Sequence, residues 1–241
     1  MASEAMERPE GTPSRGKIWW LALRPRTLGA AIAPVLMGGA LAAGEHGFFA
    51  PAFLAALLCA VLIQISANFA NDYFDFIKGK DTEKRQGPTR ATQAGWVTPA
   101  QMRRALGVVN VLAFALGLYL VYRGGLPILI IGVLSLICAI LYTAGPYPIG
   151  YIGLGDLFVF IFFGPVAVGG TYYVQTLSWS PTALWAGIAP GLLSMAILAV
   201  NNLRDVEEDR GTGKRTLAVR FGPNFARWEY VSRSEERRVG K

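Results

Sequence analysis

The apolar stretch from Phe48 to Phe76 is longer than a bilayer is thick. About 20 helical residues cross the hydrocarbon core, and this run continues beyond that into Asn71, Asp72 and Asp75. Carboxylates left in lipid cost several kcal/mol, so the polar end has to project into water or into a cavity made by protein. At about 100° per residue, Gln64, Asn68, Asn71, Asp72 and Asp75 fall within one narrow arc of a helix. The pattern returns at NNLRDVEED, where Asn201, Asn202, Asp205 and Asp209 share a face and a Gly-Lys-Arg loop follows. The chain carries one polar design twice.

What surrounds these patches is a membrane protein. Of the residues, 53% are hydrophobic and 16% charged, with mean hydropathy +0.37, too apolar for an ordinary soluble domain of this length. The expected architecture is an all-α integral membrane bundle. A first span covers Ile18 to Ala43, interrupted at Arg24-Pro25-Arg26, so that Ile18 to Leu23 lies along the interface and Thr27 to Ala43 inserts, with Pro34 as a kink. Further spans follow at about 48–76, 105–122, 126–142, 157–174 and 183–203. The Gly- and Pro-rich connector 143–155 breaks the helix before the fifth of these six spans. Residues 1–17 are polar, lack the apolar core of a secretory signal, and are expected to be a disordered cytoplasmic lead. Residues 18–231 form the membrane domain. SRSEERRVGK, 232–241, is unlike anything before it and is expected to be a non-native tail on a truncated chain.

A formal charge of +7 raises nucleic-acid binding as a class, but the placement of the charge excludes it. Of 23 Lys and Arg, five lie in 1–26, seven in 78–104, five in 204–220 and five after 226, leaving only Arg123 elsewhere. Six alternating spans put all four groups on one side, the cytoplasmic one, as the excess of basic residues in cytoplasmic loops requires. Both acidic patches then meet the same face. The lone His46 sits in a Gly-Glu-His-Gly loop and is read as exposed, while Cys59 and Cys138 lie in apolar runs without metal or disulfide spacing and are read as packing residues.

A single Asp at a helix end is as well explained by exposure to water. Asp72, Asp75 and Asp81 matched by Asp205 and Asp209, each set beside amides and Lys or Arg, are not. Carboxylate oxygens suit a hard divalent cation such as Mg²⁺, which keeps water and shares its coordination with substrate phosphates. Lys78, Lys80, Lys84, Arg85, Arg90, Lys214 and Arg215 lie near the patches and suit the remaining phosphate oxygens. The ligand these residues imply is a diphosphate.

The motifs N71-D-Y-F-D75-F-I-K-G-K-D81 and N202-L-R-D205-V-E-E-D209, at the ends of the second and sixth spans, resemble those of the UbiA-type intramembrane prenyltransferases. RQGPTRATQAG, YTAGPYPIGYIGLGD and GTGKRTLAVRFG bring the chain nearest the branch that acts on 1,4-dihydroxy-2-naphthoate in menaquinone synthesis. The resemblance covers about 18–226. It implies a nine-helix bundle, of which six spans and the start of a seventh are present. It also implies a Mg²⁺-dependent enzyme of the plasma membrane, with its site at the cytoplasmic face, that transfers a polyprenyl group from polyprenyl diphosphate to the naphthoate. Carbon dioxide is lost, and demethylmenaquinone and pyrophosphate are the products. Asp72, Asp75, Asp81, Asp205 and Asp209 are then the catalytic metal ligands. Asn68, Asn71, Asn201, Asn202 and Arg204, with the cations above, are substrate contacts. Tyr142, Tyr147 and Tyr151 line the path of the allylic cation, and Asp156 faces substrate. The same metal site also serves 4-hydroxybenzoate, chlorophyllide or glycerol phosphate acceptors. A transporter is the alternative from another class, with polar residues in broken helices near the midplane.

Overall fold

The computed structural model describes residues 13–80 and 87–234, and the fold is all-α. Helix α1 (Arg15–Leu23) precedes α2 (Pro25–Gly44), and the break between them is Arg24, held in the left-handed region at φ 53°. Pro25 starts α2, where a missing N–H costs nothing and the ring presets φ. Ile18 and Ala22 of α1 are buried against Ile65 and Phe69, while Trp20 is exposed, as an interfacial helix requires. Helix α1 begins three residues inside the stretch expected to be disordered; residues 1–12 lie outside the described residues.

Helix α3 (Ala50–Ile77) packs against α4 (Pro99–Leu141). A capping box opens α4: Gln101 N–H donates to the Thr98 hydroxyl, and Thr98 N–H donates to the Gln101 side chain. At 43 residues α4 is twice the length of a crossing, and Gly125 interrupts it at φ 68°, ψ −152°. Met102 and Leu106 near its start are buried with Phe69 and Ala70 at the end of α3, and Thr143 just past its end donates to Asn71. Both ends of α4 therefore lie at the same end of α3, so the chain reverses at Gly125. These are the third and fourth spans.

The fifth span is two helices, α5 (Gly155–Phe163) and α6 (Pro165–Thr176), broken at Gly164. The sixth is α7 (Pro181–Ala186) and α8 (Ile188–Arg204), broken at Gly187. The two breaks touch: a Cβ on Gly187 would meet Pro165 Cα at 2.6 Å and Gly164 C at 2.8 Å. Close approach also joins α2 to α6, where a Cβ on Gly38 would lie 2.5 Å from the Val168 carbonyl oxygen. Dispersion and close contact hold helices together in lipid, because the tails are as apolar as the side chains. At the far end from the acidic patches, Arg123 donates to the Val174 and Gln175 carbonyls, each at 2.7 Å, and stacks 4.0 Å over the Phe49 ring. Helices α9 (Val206–Gly211), α10 (Leu217–Phe221) and α11 (Pro223–Ser234) follow α8, and α11 packs back on α8. Helix α11 continues into the charged ending; residues 235–241 lie outside the described residues.

Among the described residues, each basic segment reaches the end of the bundle that holds the acidic motifs: the Arg24 break lies against Asn68, Arg90 and Lys214 pair with Asp75, and Arg233 pairs with Asp156. Cysteines introduced at Thr89 and Thr212, in a background lacking Cys59 and Cys138, are expected to react with an impermeant maleimide from the same side of the membrane. Opposite accessibility would reject the six-span topology.

Candidate active site

The two acidic patches come together through a lysine. Lys214 Nζ lies 3.2 Å from Asp75 Oδ2 and 3.8 Å from Asp209 Oδ1. Two positive-φ glycines shape the approach: Gly79 ends α3, and Gly213 turns the chain after α9 so that Lys214 points back at α3. Asp75 is 2% exposed and also pairs with Arg90 Nη1 at 2.5 Å, while the Tyr151 hydroxyl donates to its other oxygen. Lys78 and Lys214 lie 5.2 and 4.9 Å from the centre of the Tyr151 ring. The segment carrying Tyr151 is tied to the second patch by Arg215 N–H on the Tyr151 carbonyl at 2.7 Å and by the Arg220 guanidinium on the Ile152 carbonyl at 2.7 Å. Three separated parts of the sequence thus surround one carboxylate with two cations and a phenol.

The remaining residues singled out from the sequence fall into distinct places. Lys78 donates to the Thr143 and Gly145 carbonyls, and Lys80 to the Thr212 carbonyl, closing the loops around the site. Partial burial foremost, then Lys80 and Lys214, push the Lys78 ammonium below its ordinary range against the pull of Asp75. Asp205 is engaged by a two-point pair with Arg204 at 2.6 and 2.7 Å. Asp72 is turned onto the backbone of Ala91 and Thr92. Asn68 donates to the Leu23 carbonyl at 2.8 Å and the Thr27 hydroxyl at 3.0 Å, joining α3 to the α1–α2 break. Asp156 pairs with Arg233 of α11 at 3.1 Å. Asn202 is half-buried, and the Arg215 side chain is exposed, so Arg215 acts here through its backbone. Asp81, Lys84 and Arg85 lie outside the described residues.

Tyr147, in the Pro146–Pro148 turn, is 79% exposed, and it is the Tyr151 hydroxyl that reaches Asp75. Spacing alone does not separate tyrosines in one irregular loop. Thr143, whose hydroxyl donates to Asn71, carries no signal in the sequence.

Beneath the charged groups, between α2, α3, α4, α5, α6 and α8, lies a cavity of about 400 Å³. Its lining is largely apolar, including Ile63, Phe158, Phe162 and Val166, with Asn71, Tyr142 and Asn201 among its polar members and Arg24 and Arg26 at its edge. Cys59 and Cys138 line it as well, which refines their reading as packing residues. The Tyr142 ring is wedged in place by absent side chains: a Cβ on Gly150 would meet it at 2.7 Å, and one on Gly155 would meet its hydroxyl at 2.8 Å. A slot of this kind beside a cluster of charges suits a ligand with a long apolar tail and an anionic head.

Among the described residues no three acidic, His or Cys side chains converge as a ready-made metal set. Asp75 and Asp209 nevertheless share one ammonium, and Asp209 carries surplus negative surroundings. Burial first, then Asp205, Glu208 and Asp75, push its carboxyl up to about 6 in spite of Lys214. A divalent cation would relieve that repulsion, so the donor set fits one. A carboxyl with a raised pKa is favoured by the fold in its protonated form, so the stability Asp209 contributes is fully present below about pH 4 and is lost as pH rises through about 6. Asp209→Asn is therefore expected to raise metal-free stability at pH 7.5, by about 2 kcal/mol, and to leave it nearly unchanged at pH 4. Thermal unfolding in detergent at the two pH values checks this; equal effects at both would overturn it.

The fold and the sequence have counterparts. A model of the UbiA prenyltransferase family matches residues 31–232. The chain is 44% identical over 220 residues to the 1,4-dihydroxy-2-naphthoate octaprenyltransferase of Escherichia coli, covering 89% of this chain and 71% of that protein. It is 42% identical over 214 residues to the protein of the same name from Haemophilus influenzae, covering 86% and 70%. A solved structure of a UbiA homolog from Archaeoglobus fulgidus, bound to DMAPP and Mg²⁺, shares the fold. Its TM-score is 0.62 at 16% identity, with 90% of this chain and 73% of that one covered.

Proposed function

Because the chain belongs to the UbiA prenyltransferase family, we propose that it transfers a polyprenyl group from polyprenyl diphosphate to 1,4-dihydroxy-2-naphthoate. Loss of carbon dioxide and pyrophosphate then gives the demethylmenaquinol, the two-electron-reduced form of a demethylmenaquinone-type product. The observation that carries this reading is the Asp75–Lys214–Asp209 bridge at the polar end of an apolar cavity, in a chain whose relatives bear that activity in their names.

The residues divide the work by chemistry. The cavity takes the isoprenoid chain and keeps water from its reactive end. Lys214, Arg90 and Lys78 receive the diphosphate and neutralise charge as it grows on the departing pyrophosphate, where stabilisation lowers the barrier most. Mg²⁺, when bound, supplies further neutralisation of the diphosphate; Asp75 and Asp209 would hold it, with Asp81 and Asp205 as the other acids of the two motifs. Tyr142, on the cavity wall, offers a ring face to the allylic cation, an interaction of about 0.5–2 kcal/mol. The electron-rich naphthoate ring attacks the allylic carbon, its carboxylate leaves as carbon dioxide, and no covalent bond to the protein forms. The protein is a multi-pass membrane protein. The placement of the lysines and arginines favours an orientation with the site facing the cytoplasm.

Membranes containing the protein, given polyprenyl diphosphate and in parallel the naphthoate, 4-hydroxybenzoate or glycerol phosphate, test the reading. Prenylated naphthohydroquinone, collected as the quinone after oxidation in air, with matching pyrophosphate release is expected. Product from another acceptor alone would transfer the assignment to that acceptor, and pyrophosphate release without any prenylated product would reject the transferase reading.

A further inference from the structure

We propose that Asp72 is a positioning residue rather than a metal ligand: it anchors the backbone at 91–92 and so places Arg90 against Asp75 and the diphosphate. This rests on the transferase reading above but makes a separate claim within it. Asp72 and Asp75 belong to one motif and both are 2% exposed, yet their carboxylates do different things. Three residues along a helix turn a side chain by about 300°, leaving Asp72 offset by about 60° from Asp75. That offset aims it at the returning chain. Asp72 Oδ2 accepts from Ala91 N–H at 3.0 Å and Oδ1 from Thr92 N–H at 3.2 Å. A carboxylate with both oxygens on backbone N–H groups forms strong, charge-assisted bonds and fixes the register of the segment it grips.

The residue before that grip is Arg90, itself 5% exposed. Its Nη1 donates to the Asn71 carbonyl at 2.6 Å and lies 2.5 Å from Asp75 Oδ2. One turn of α3 therefore holds consecutive residues of the loop: Asn71 and Asp75 take the guanidinium, and Asp72 takes the two amides that follow. Ala91 and Val97 are buried with Phe69, Ala70 and Met102, which seats the segment in the core and leaves it one way to lie. With Asp75 engaged by a metal ion, the Asp72 grip would keep Arg90 in reach of the diphosphate. Asp72 contributes to the reaction through Arg90.

The test compares Asp72→Asn, Arg90→Gln and the double variant in membranes. Measured quantities are the KM for prenyl diphosphate, the Mg²⁺ concentration giving half-maximal rate, and the thermal shift produced by pyrophosphate. Asn offers one acceptor where Asp72 offers two, so Asp72→Asn is expected to raise the donor KM about tenfold, the cost of a charged hydrogen bond. The Mg²⁺ half-saturation stays within about twofold, and the pyrophosphate-induced shift shrinks. Arg90→Gln reproduces the KM effect, and the double variant is no worse than Arg90→Gln, as for two residues acting through one contact. A purely structural role would lower the amount of folded enzyme and leave the donor KM alone. A tenfold rise in Mg²⁺ requirement for Asp72→Asn, or effects that multiply in the double variant, would overturn the proposal. If Asp72→Asn does not accumulate, an unchanged donor KM in Arg90→Gln rejects it. Loss of activity on every acceptor in the unaltered protein would instead reject the transferase reading.

Discussion

Asp75→Asn is expected to lower turnover by about two to three orders of magnitude, with the protein still folded and inserted. The change keeps the side chain's volume and removes the one charge on which Arg90, Lys214 and the Tyr151 hydroxyl converge. Lost stabilisation at a developing charge in a water-poor site is worth about 3–4 kcal/mol for a single group, which sets that scale. Asp209→Asn is expected to fall nearly as far, because Lys214 reaches it too. The double variant should be scarcely slower than either single one, since groups acting as a unit lose their effect together. Asp205→Asn should be milder, its carboxylate being engaged by Arg204. Prenyl transfer measured for these four variants across Mg²⁺ concentrations decides the matter. Near-wild-type turnover in Asp75→Asn, or fully multiplicative losses, would end the single-site reading.

Gly187→Ala is expected to abolish accumulation of folded protein, although it adds one methyl group. The new Cβ would stand 2.6 and 2.7 Å from Pro165 Cα and N and 2.8 Å from Gly164 C, all backbone atoms of the broken fifth span. Flexible side chains can move aside; two helix breaks packed against each other cannot, and overpacking of this kind costs about 3 kcal/mol or more. Gly107→Ala and Gly132→Ala are the controls, because nothing lies within 4 Å of a Cβ at either position. Alanine there removes chain entropy from the unfolded state and is expected to be neutral or slightly stabilising. Detergent-solubilised yield and thermal unfolding of the three variants separate these outcomes; folded Gly187→Ala of normal stability would show that the breaks do not pack as described.

The pattern of apolar runs and basic loops is written locally, and it carried the number of crossings, their order and the shared face of the two motifs. The Arg24-Pro25 break and the Gly124-Gly125 reversal could be read because proline and glycine act on their own backbone. Helical periodicity put Asn68, Asn71, Asp72 and Asp75 on one face. It could not assign them partners, since 60° of rotation sends Asp72 to Ala91 and Thr92 while Asp75 meets Arg90, Lys214 and Tyr151. Tyr147 and Tyr151 look alike in a loop without periodicity, and only the tie from Arg215 to the Tyr151 carbonyl chooses between them.

Sequence by itself thus determined a membrane bundle with two acidic helix ends on one side, because hydrophobicity, periodicity and charge placement are properties of short stretches of chain. Tertiary structure alone decided that Lys214 joins Asp75 to Asp209, that Asp205 stays with Arg204, and that a cavity of about 400 Å³ opens beneath them. Those relations depend on angles and distances between segments up to 139 residues apart, which packing fixes and local pattern does not contain.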